Sequence, residues 1–405
     1  MNHLLPAVNA AIVGLIASLA ASCSSKNDEF HAAPQVPSAP PEAFNSPAES
    51  APRHPSPPIA GPFRARPNPS TCESSPANFD IPKNGCDDDG DGAVDNTSSC
   101  DSTFAVTGPA EEFAKTLGIC QLAGDAKWGV VSATYTNGFR RDTPPAEAQH
   151  GILPKFGDVI VPREGGRLGV LSTGWAREFD SDRRNGAEFK GPKDPPVAGF
   201  SSAGAAPRGF PKAADGCAIS DRVYDQSNLR LELKVPSNAK GLQFDFNFYS
   251  GEWPEFVCTR YNDGFIAYLS SKAFNEGKAD NISFDAKGNP VSVNNGFFDR
   301  CTPGIQIGCS TRRMATAMSA CPGGADELKG TGFYAWGTYC GIEPSVGGGA
   351  TGWLTSEAPV APGETITLEF MIWNTGDSNF NSSVLLDHFR WVADTVVAGT
   401  TRPPR

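Results

Sequence analysis

The densest run of metal-ligating side chains is Cys86-Asp87-Asp88-Asp89-Gly90-Asp91-Gly92-Ala93-Val94-Asp95-Asn96. Calcium prefers several hard oxygens on a tightly turned backbone, and a calcium loop supplies them at alternating positions with a glycine at the sixth. Counted from Asp87, the carboxylates of Asp87, Asp89 and Asp91 take the first, third and fifth positions. Gly92 is then sixth, the Ala93 carbonyl seventh and Asp95 ninth, and Val94 is the apolar residue that packs beneath. Ser98 stands twelfth, where a bidentate Glu is usual, so binding is expected to be weak, on the order of 10⁻⁴ to 10⁻³ M. The other reading of these residues is a solvated acidic turn. Cys86 and Cys100 bracket the run; a bond between them would close about 15 residues and stabilise the segment by roughly 3 kcal/mol. Cys72 can equally take either partner.

Two further groups of oxygen-bearing side chains stand near strand ends. Glu252, Glu255, Asn262 and Asp263 form one, and Asn374, Asp377 and Asp387 the other. If they meet, they can hold a structural calcium or contact a polar ligand; the alternative is that they are turn formers bonding their own backbone. Trp253, Tyr261, Trp336, Tyr339 and Trp353 can stack on sugars or pack into a core. Catalytic signals are missing: only His150 and His388 fall in the folded part, and there is no His-Glu-x-x-His, Gly-x-Ser-x-Gly or phosphate-cradling Gly-Lys-Ser/Thr run. No pair of carboxylates is singled out for glycoside hydrolysis, so the chain is not expected to be an enzyme.

The chain that positions these groups has 405 residues, a net charge of -11 and a pI near 5.0, which argues against nucleic acid as a partner. A hydrophobic fraction of 39% and mean hydropathy of -0.31 exclude a multi-spanning membrane protein. An apolar run, Ala10 to Ala21, ends in small residues before Cys23, so residues 1–22 read as a signal peptide. The pattern resembles a bacterial lipoprotein signal, in which Cys23 carries the lipid and Ser24 directs the chain to the outer membrane; an ordinary cleaved signal is the alternative. From residue 23 to 76 the Pro, Ala and Ser content predicts a disordered tether. Residues 77–103 form the acidic calcium-binding-like segment, 104–396 the large domain and 397–405 a disordered tail. Of the 11 cysteines, setting Cys23 apart leaves Cys72, Cys86, Cys100, Cys120, Cys217, Cys258, Cys301, Cys309, Cys321 and Cys340, an even set able to form disulfides of open connectivity.

In the large domain one short helix is expected over Pro109 to Leu117, with Pro109 at its start, Glu111 and Glu112 in its first turn and Gly118 ending it. Beyond it the period is two: Leu229, Leu231, Leu233 and Val235; Leu242, Phe244, Phe246 and Phe248; Ile366, Leu368, Phe370 and Ile372. Each run is a strand with one face in a core, and no strand-helix alternation intervenes. The fold class is therefore all-β, an antiparallel, jelly-roll-like β-sandwich with one short helix.

The run Phe248-Tyr249-Ser250-Gly251-Glu252-Trp253-Pro254-Glu255-Phe256-Val257, followed by Tyr261-Asn262-Asp263-Gly264-Phe265, resembles the signature of the choice-of-anchor L domain. Asn281-Ile282, Pro290-Val291-Ser292-Val293-Asn294-Asn295, Pro362-Gly363-Glu364-Thr365, Asn374-Thr375-Gly376-Asp377 and Asn381 to Asp387 continue it in order, from roughly Cys120 to Val392. The acidic run similarly resembles the short, EF-hand-like calcium repeats of bacterial surface proteins. These resemblances imply an extracellular sandwich displayed by bacteria through varied anchors. The expected protein is an outer-membrane lipoprotein held to the membrane by lipid, with structural calcium, displaying its sandwich for adhesion or for binding an extracellular glycan or protein. The alternative is a secreted carbohydrate-binding, lectin-like or carbohydrate-active protein.

Overall fold

A computed structural model describes residues 72–96, 100–101, 103–179, 200–294, 297–310 and 317–403. The signal segment, Cys23, the tether up to residue 71 and Ser98 lie outside the described residues. One α-helix, α1 (Ala110–Thr116), precedes the strands β1 (Gly129–Thr136), β2 (His150–Leu153), β3 (Leu168–Ser172), β4 (Val223–Lys234), β5 (Gly241–Ser250), β6 (Gly264–Ser270), β7 (Asp280–Asn281) and β8 (Val291–Ser292). Then follow β9 (Ala335–Tyr339), β10 (Ile342–Gly347), β11 (Gly349–Ala350), β12 (Leu354–Pro359), β13 (Thr365–Thr375), β14 (Ser382–Val392) and β15 (Gly399–Thr401). Pro109 is the N-cap of α1, one place earlier than expected, and Gly118 ends the helix at φ +98°.

The three alternating runs form β4, β5 and β13. One sheet has the order β1-β4-β13-β6-β7 with β8 beside β6; the other has β15-β12-β5-β14-β3-β2 with β11 beside β5, and β9 and β10 pair apart. The ladders within both sheets are antiparallel, with Leu368 opposite Leu231 in the first and Leu386 opposite Phe246 in the second. Successive long strands change sheets, β4 to β5 to β6 and β12 to β13 to β14, so their apolar stripes face one another. Leu229, Leu231, Phe265, Leu368 and Phe370 meet Leu242, Phe244, Phe246, Val384 and Leu386 in one core. The Phe244 and Phe370 rings stand edge to face at 4.9 Å and those of Phe246 and Phe265 lie 5.1 Å apart. This is a β-sandwich.

Parts of the outer faces are also covered, while Arg230, Glu232 and Lys234 on β4 stay half-exposed as a two-residue period predicts. Tyr249, Leu385 and Val170 on the second sheet pack against Phe156, Leu328 and Phe333 from loops, and Ile266, Met371 and Trp373 on the first against Phe139 and Phe210. The polar residues under these covered parts, Asn228, Asp245 and Asn247 among them, are buried and must find partners inside the protein.

The ten cysteines form five disulfides: Cys72–Cys86, Cys100–Cys120, Cys217–Cys258, Cys301–Cys321 and Cys309–Cys340. Of the openings around the acidic run, Cys86 takes Cys72, and Cys100 instead ties the segment to the end of α1. Residues 397–405, read as a disordered tail, contribute β15, where Thr400 pairs with Ser356 and Arg402 donates to the carbonyls of Thr351 and Phe297. The short run carries no apolar period, so only its pairing with β12 reveals it.

Candidate functional site

The acidic run folds as a chain of turns in which side-chain oxygens take up backbone amides. Asp87 accepts from the N–H groups of Gly90, Asp91 and Gly92, Asp89 from Asp91, and Asp91 from Ala93. Asp87 and Asp89 come together with Asp80, carboxylate oxygens of all three lying within 4.8 Å of one another. Burial, followed by repulsion from Asp80, Asp91 and Asp87, pushes the Asp89 carboxyl up against the opposing Asp91 N–H. Asp91 and Asp95 turn elsewhere, Asp91 to the Asn96 amide and Asp95 to the backbone of Asn84 and Gly85, and Ala93 donates its N–H to Asp91. Asp80 escapes any spacing rule because it belongs to the preceding turn; it is recruited by accepting from the N–H groups of Asp88, Asp89 and Asn96. Asp80 and Asp89 also line a cavity of about 260 Å³ whose other walls include Trp128, Trp391 and Arg390.

The second polar group divides. Asp263 and Glu252 are buried at one end of the sandwich, with Asn262 beside them accepting from the Asn294 N–H. Asp263 accepts from the Thr375 N–H at 2.9 Å and the Ser382 hydroxyl at 2.8 Å. Burial pushes both carboxyls well above the carboxylate range, and Asp377 adds repulsion to each. Glu255 is half-buried apart from this pair, its carboxyl raised by burial alone, while its carbonyl accepts from Ser310. Asp387 lies on the other side of the second sheet. It accepts from the backbone N–H groups of Arg163, Glu164 and His388, yet burial pushes it to about 7.

Beside Asp387 stands a charged group on the outer face. Burial raises the Asp245 carboxyl, but hydrogen bonds from His388 and Thr355 and the charge of Arg390 outweigh it and hold it low. His388 Nδ1 is 3.0 Å and Arg163 Nε 3.2 Å from Asp245. Arg163, Trp353, His388, Arg300, Glu327 and Arg402 surround a cavity of about 600 Å³. Its arginines are paired, Arg300 with Asp299 and Glu327 and Arg402 with Asp299. The cavity therefore offers fixed donors and acceptors beside an indole rather than a strong net charge.

The aromatic candidates separate by burial. Trp253 stacks on Phe298 at 4.7 Å in the core and Tyr339 is buried, whereas Trp336 is 65% exposed beside Tyr334. Tyr261 lies under the Arg260 guanidinium, and Trp353 under that of Arg163 at 5.9 Å. His150 stacks on Tyr135 at 3.7 Å, and burial followed by the Arg177 charge lowers it to about 4, which leaves it neutral in the core.

The fold and its cross-links define a disulfide-braced antiparallel β-sandwich. Residues 217–389 match the Choice-of-anchor L domain, a narrower span than the sequence resemblance, running from the Cys217–Cys258 bond to β14. With the disulfides, this match supports an exported, surface-associated protein. Neither the curated proteins nor the solved structures contain a match to the chain.

Proposed function

We propose that this chain is an outer-membrane surface lipoprotein, anchored through Cys23, that displays its sandwich for adhesion or extracellular binding and has no catalytic role. The observation that carries this reading is the Choice-of-anchor L match over residues that hold three of the five disulfides. The Pro-rich stretch after Cys23 fits a spacer between membrane and sandwich. Cys23→Ser is expected to move the chain from the membrane pellet to the soluble fraction and to abolish globomycin-sensitive processing. A variant that stays in the pellet contradicts the anchor.

The acidic loop is read as a weak calcium site in which Asp80 joins Asp87 and Asp89. Three carboxylates with oxygens within 4.8 Å suit a hard cation, whose charge offsets the burial and the mutual repulsion that raise Asp89. Bound calcium would tie the turn of Asp80 to the loop and so stiffen that side of the cavity lined by Trp128 and Trp391. In calorimetric titration the native chain is expected to show a binding step at about 10⁻⁴ to 10⁻³ M. Asp87→Asn with Asp89→Asn should remove that step, and its persistence would exclude the loop.

The cavity beside Trp353 favours a second reading, carbohydrate binding, because an indole face with convergent paired charges suits a neutral sugar. Trp353→Ala is expected to weaken a glycan selected on an array by about tenfold. Trp253→Ala should act through folding instead, since Trp253 is buried against Phe298. Equal glycan affinity in native and Trp353→Ala chains would remove this reading.

A further inference from the structure

The interior of the sandwich changes character at one end. Following the two-residue repeat, the inward stripe of β5 runs from Phe248 to Ser250, that of β6 back from Phe265 to Asp263, that of β13 from Ile372 to Asn374, and that of β14 back from Val384 to Ser382. The four polar ends are neighbours in space. Ser382 Oγ donates to Asp263 Oδ2 at 2.8 Å and accepts from Ser250 Oγ at 3.0 Å, and the Thr375 N–H, next to Asn374, reaches Asp263 Oδ1. The pairing of Trp373 with Gly264 places Asn374 across from Asp263. Glu252 follows Ser250 by two residues, and the backbone of Asp263 lies close enough to its carboxyl to favour the anion.

This end is closed to solvent: Glu252 is 2%, Asp263 1% and Asn374 0% exposed. Glu252 Oε2 and both side-chain amide atoms of Asn374 are buried without a hydrogen-bond partner. Among the described residues no Lys, Arg or His forms an ion pair with Glu252 or Asp263. Asp377 and Asp225 lie close enough to repel Asp263 further. Two carboxylates buried without a cation cost several kcal/mol each, and an unsatisfied amide adds to that. Protons, which burial favours on both carboxyls, also neutralise the pair, and metal content separates that arrangement from an ion. One divalent ion answers both carboxyls and the carbonyl together. The donors are all hard oxygens, from carboxylate, amide and hydroxyl, without imidazole or thiolate, which is calcium chemistry rather than that of zinc or copper.

We propose that the polar end of the sandwich holds one buried calcium ion, ligated by the carboxylates of Glu252 and Asp263 and the amide oxygen of Asn374. The ion joins β6, β13 and the turn after β5, so it clamps the two sheets together where their apolar contact stops. Being enclosed, it is taken up with folding and retained afterwards, in contrast to the exposed loop around Asp87.

The test uses the full chain carrying Asp87→Asn and Asp89→Asn, so that the loop cannot contribute. After purification in calcium and exhaustive exchange into metal-free buffer, elemental analysis is expected to find about one calcium per chain, and stripping with EGTA to lower Tm by roughly 5 °C, recovered on adding calcium. Adding Glu252→Gln should reduce retained calcium to near zero and make Tm indifferent to EGTA. A folded parent that retains no calcium and melts identically with calcium and EGTA overturns the proposal. So does a Glu252→Gln chain that still retains one calcium. If Glu252→Gln does not fold, the parent's stoichiometry and EGTA response decide alone. Because the loop is already disabled, failure here leaves the weak binding step of the native chain untouched.

Discussion

Asp387→Asn is expected to gain stability relative to the native chain as pH rises from about 4 to 8. Asp387 is fully buried in β14, and burial raises its carboxyl to about 7 although three backbone N–H groups favour its anion. In the unfolded chain the same carboxyl titrates near the ordinary value of about 3.9. A folded-state pKa above the unfolded one means the native state holds the proton more tightly, so this group's stabilisation is fully present below about pH 4 and is lost as pH rises through about 7. A shift of this size corresponds to roughly 4 kcal/mol between those limits. Asparagine, which does not titrate, lacks that loss. Denaturant unfolding of both chains at successive pH values should therefore give stability differences that diverge in favour of Asp387→Asn, most steeply between pH 4 and 7. Parallel profiles would mean that Asp387 is ionised in the native state throughout.

The legible and illegible parts of this molecule divide by range in sequence. The apolar runs of β4, β5 and β13 and the acidic start of α1 could be read because their signals lie within a dozen residues. The even set of cysteines announced disulfides, but pairing Cys301 with Cys321 and Cys309 with Cys340 depends on loop paths that no spacing encodes. Asp387 and Asp377 looked like one cluster because they follow one another closely in sequence. Strand parity separates them: Val384 and Leu386 face the core, so Asp387 faces the opposite side of the sheet, toward Arg163. Asp80 and Asn374 were the reverse case. Asp80 joins the acidic loop from a separate turn, and Asn374 lies across from Asp263 only because β13 pairs with β6 at a particular register. Long-range pairing decides such meetings, and a single sequence does not carry it.

The largest loss from one apolar substitution is expected at Phe370. Its side chain is fully buried at the centre of β13, with Leu229 of β4 and Ala267 of β6 opposite it in the ladders. Across the sandwich it meets the edge of Phe244 at 4.9 Å, and within its own sheet it lies parallel to Phe265 at 6.5 Å. Phe370→Ala removes a ring from a site where both neighbouring strands are fixed by ladders on each side, so the walls cannot collapse to fill the void. The cost is about 3–5 kcal/mol, made up of lost transfer energy and the cavity left behind. By contrast Trp336→Ala, at a side chain that is 65% exposed, should change stability by less than about 0.5 kcal/mol. Guanidinium unfolding should show a lower midpoint for Phe370→Ala with an unchanged slope, since the surface exposed on unfolding is nearly the same. The position is informative about the whole fold because the stripe that holds Phe370 runs on through Ile372 to Asn374. A loss below about 1 kcal/mol would show that the two sheets do not share one packed core, and would remove the frame on which the polar end depends.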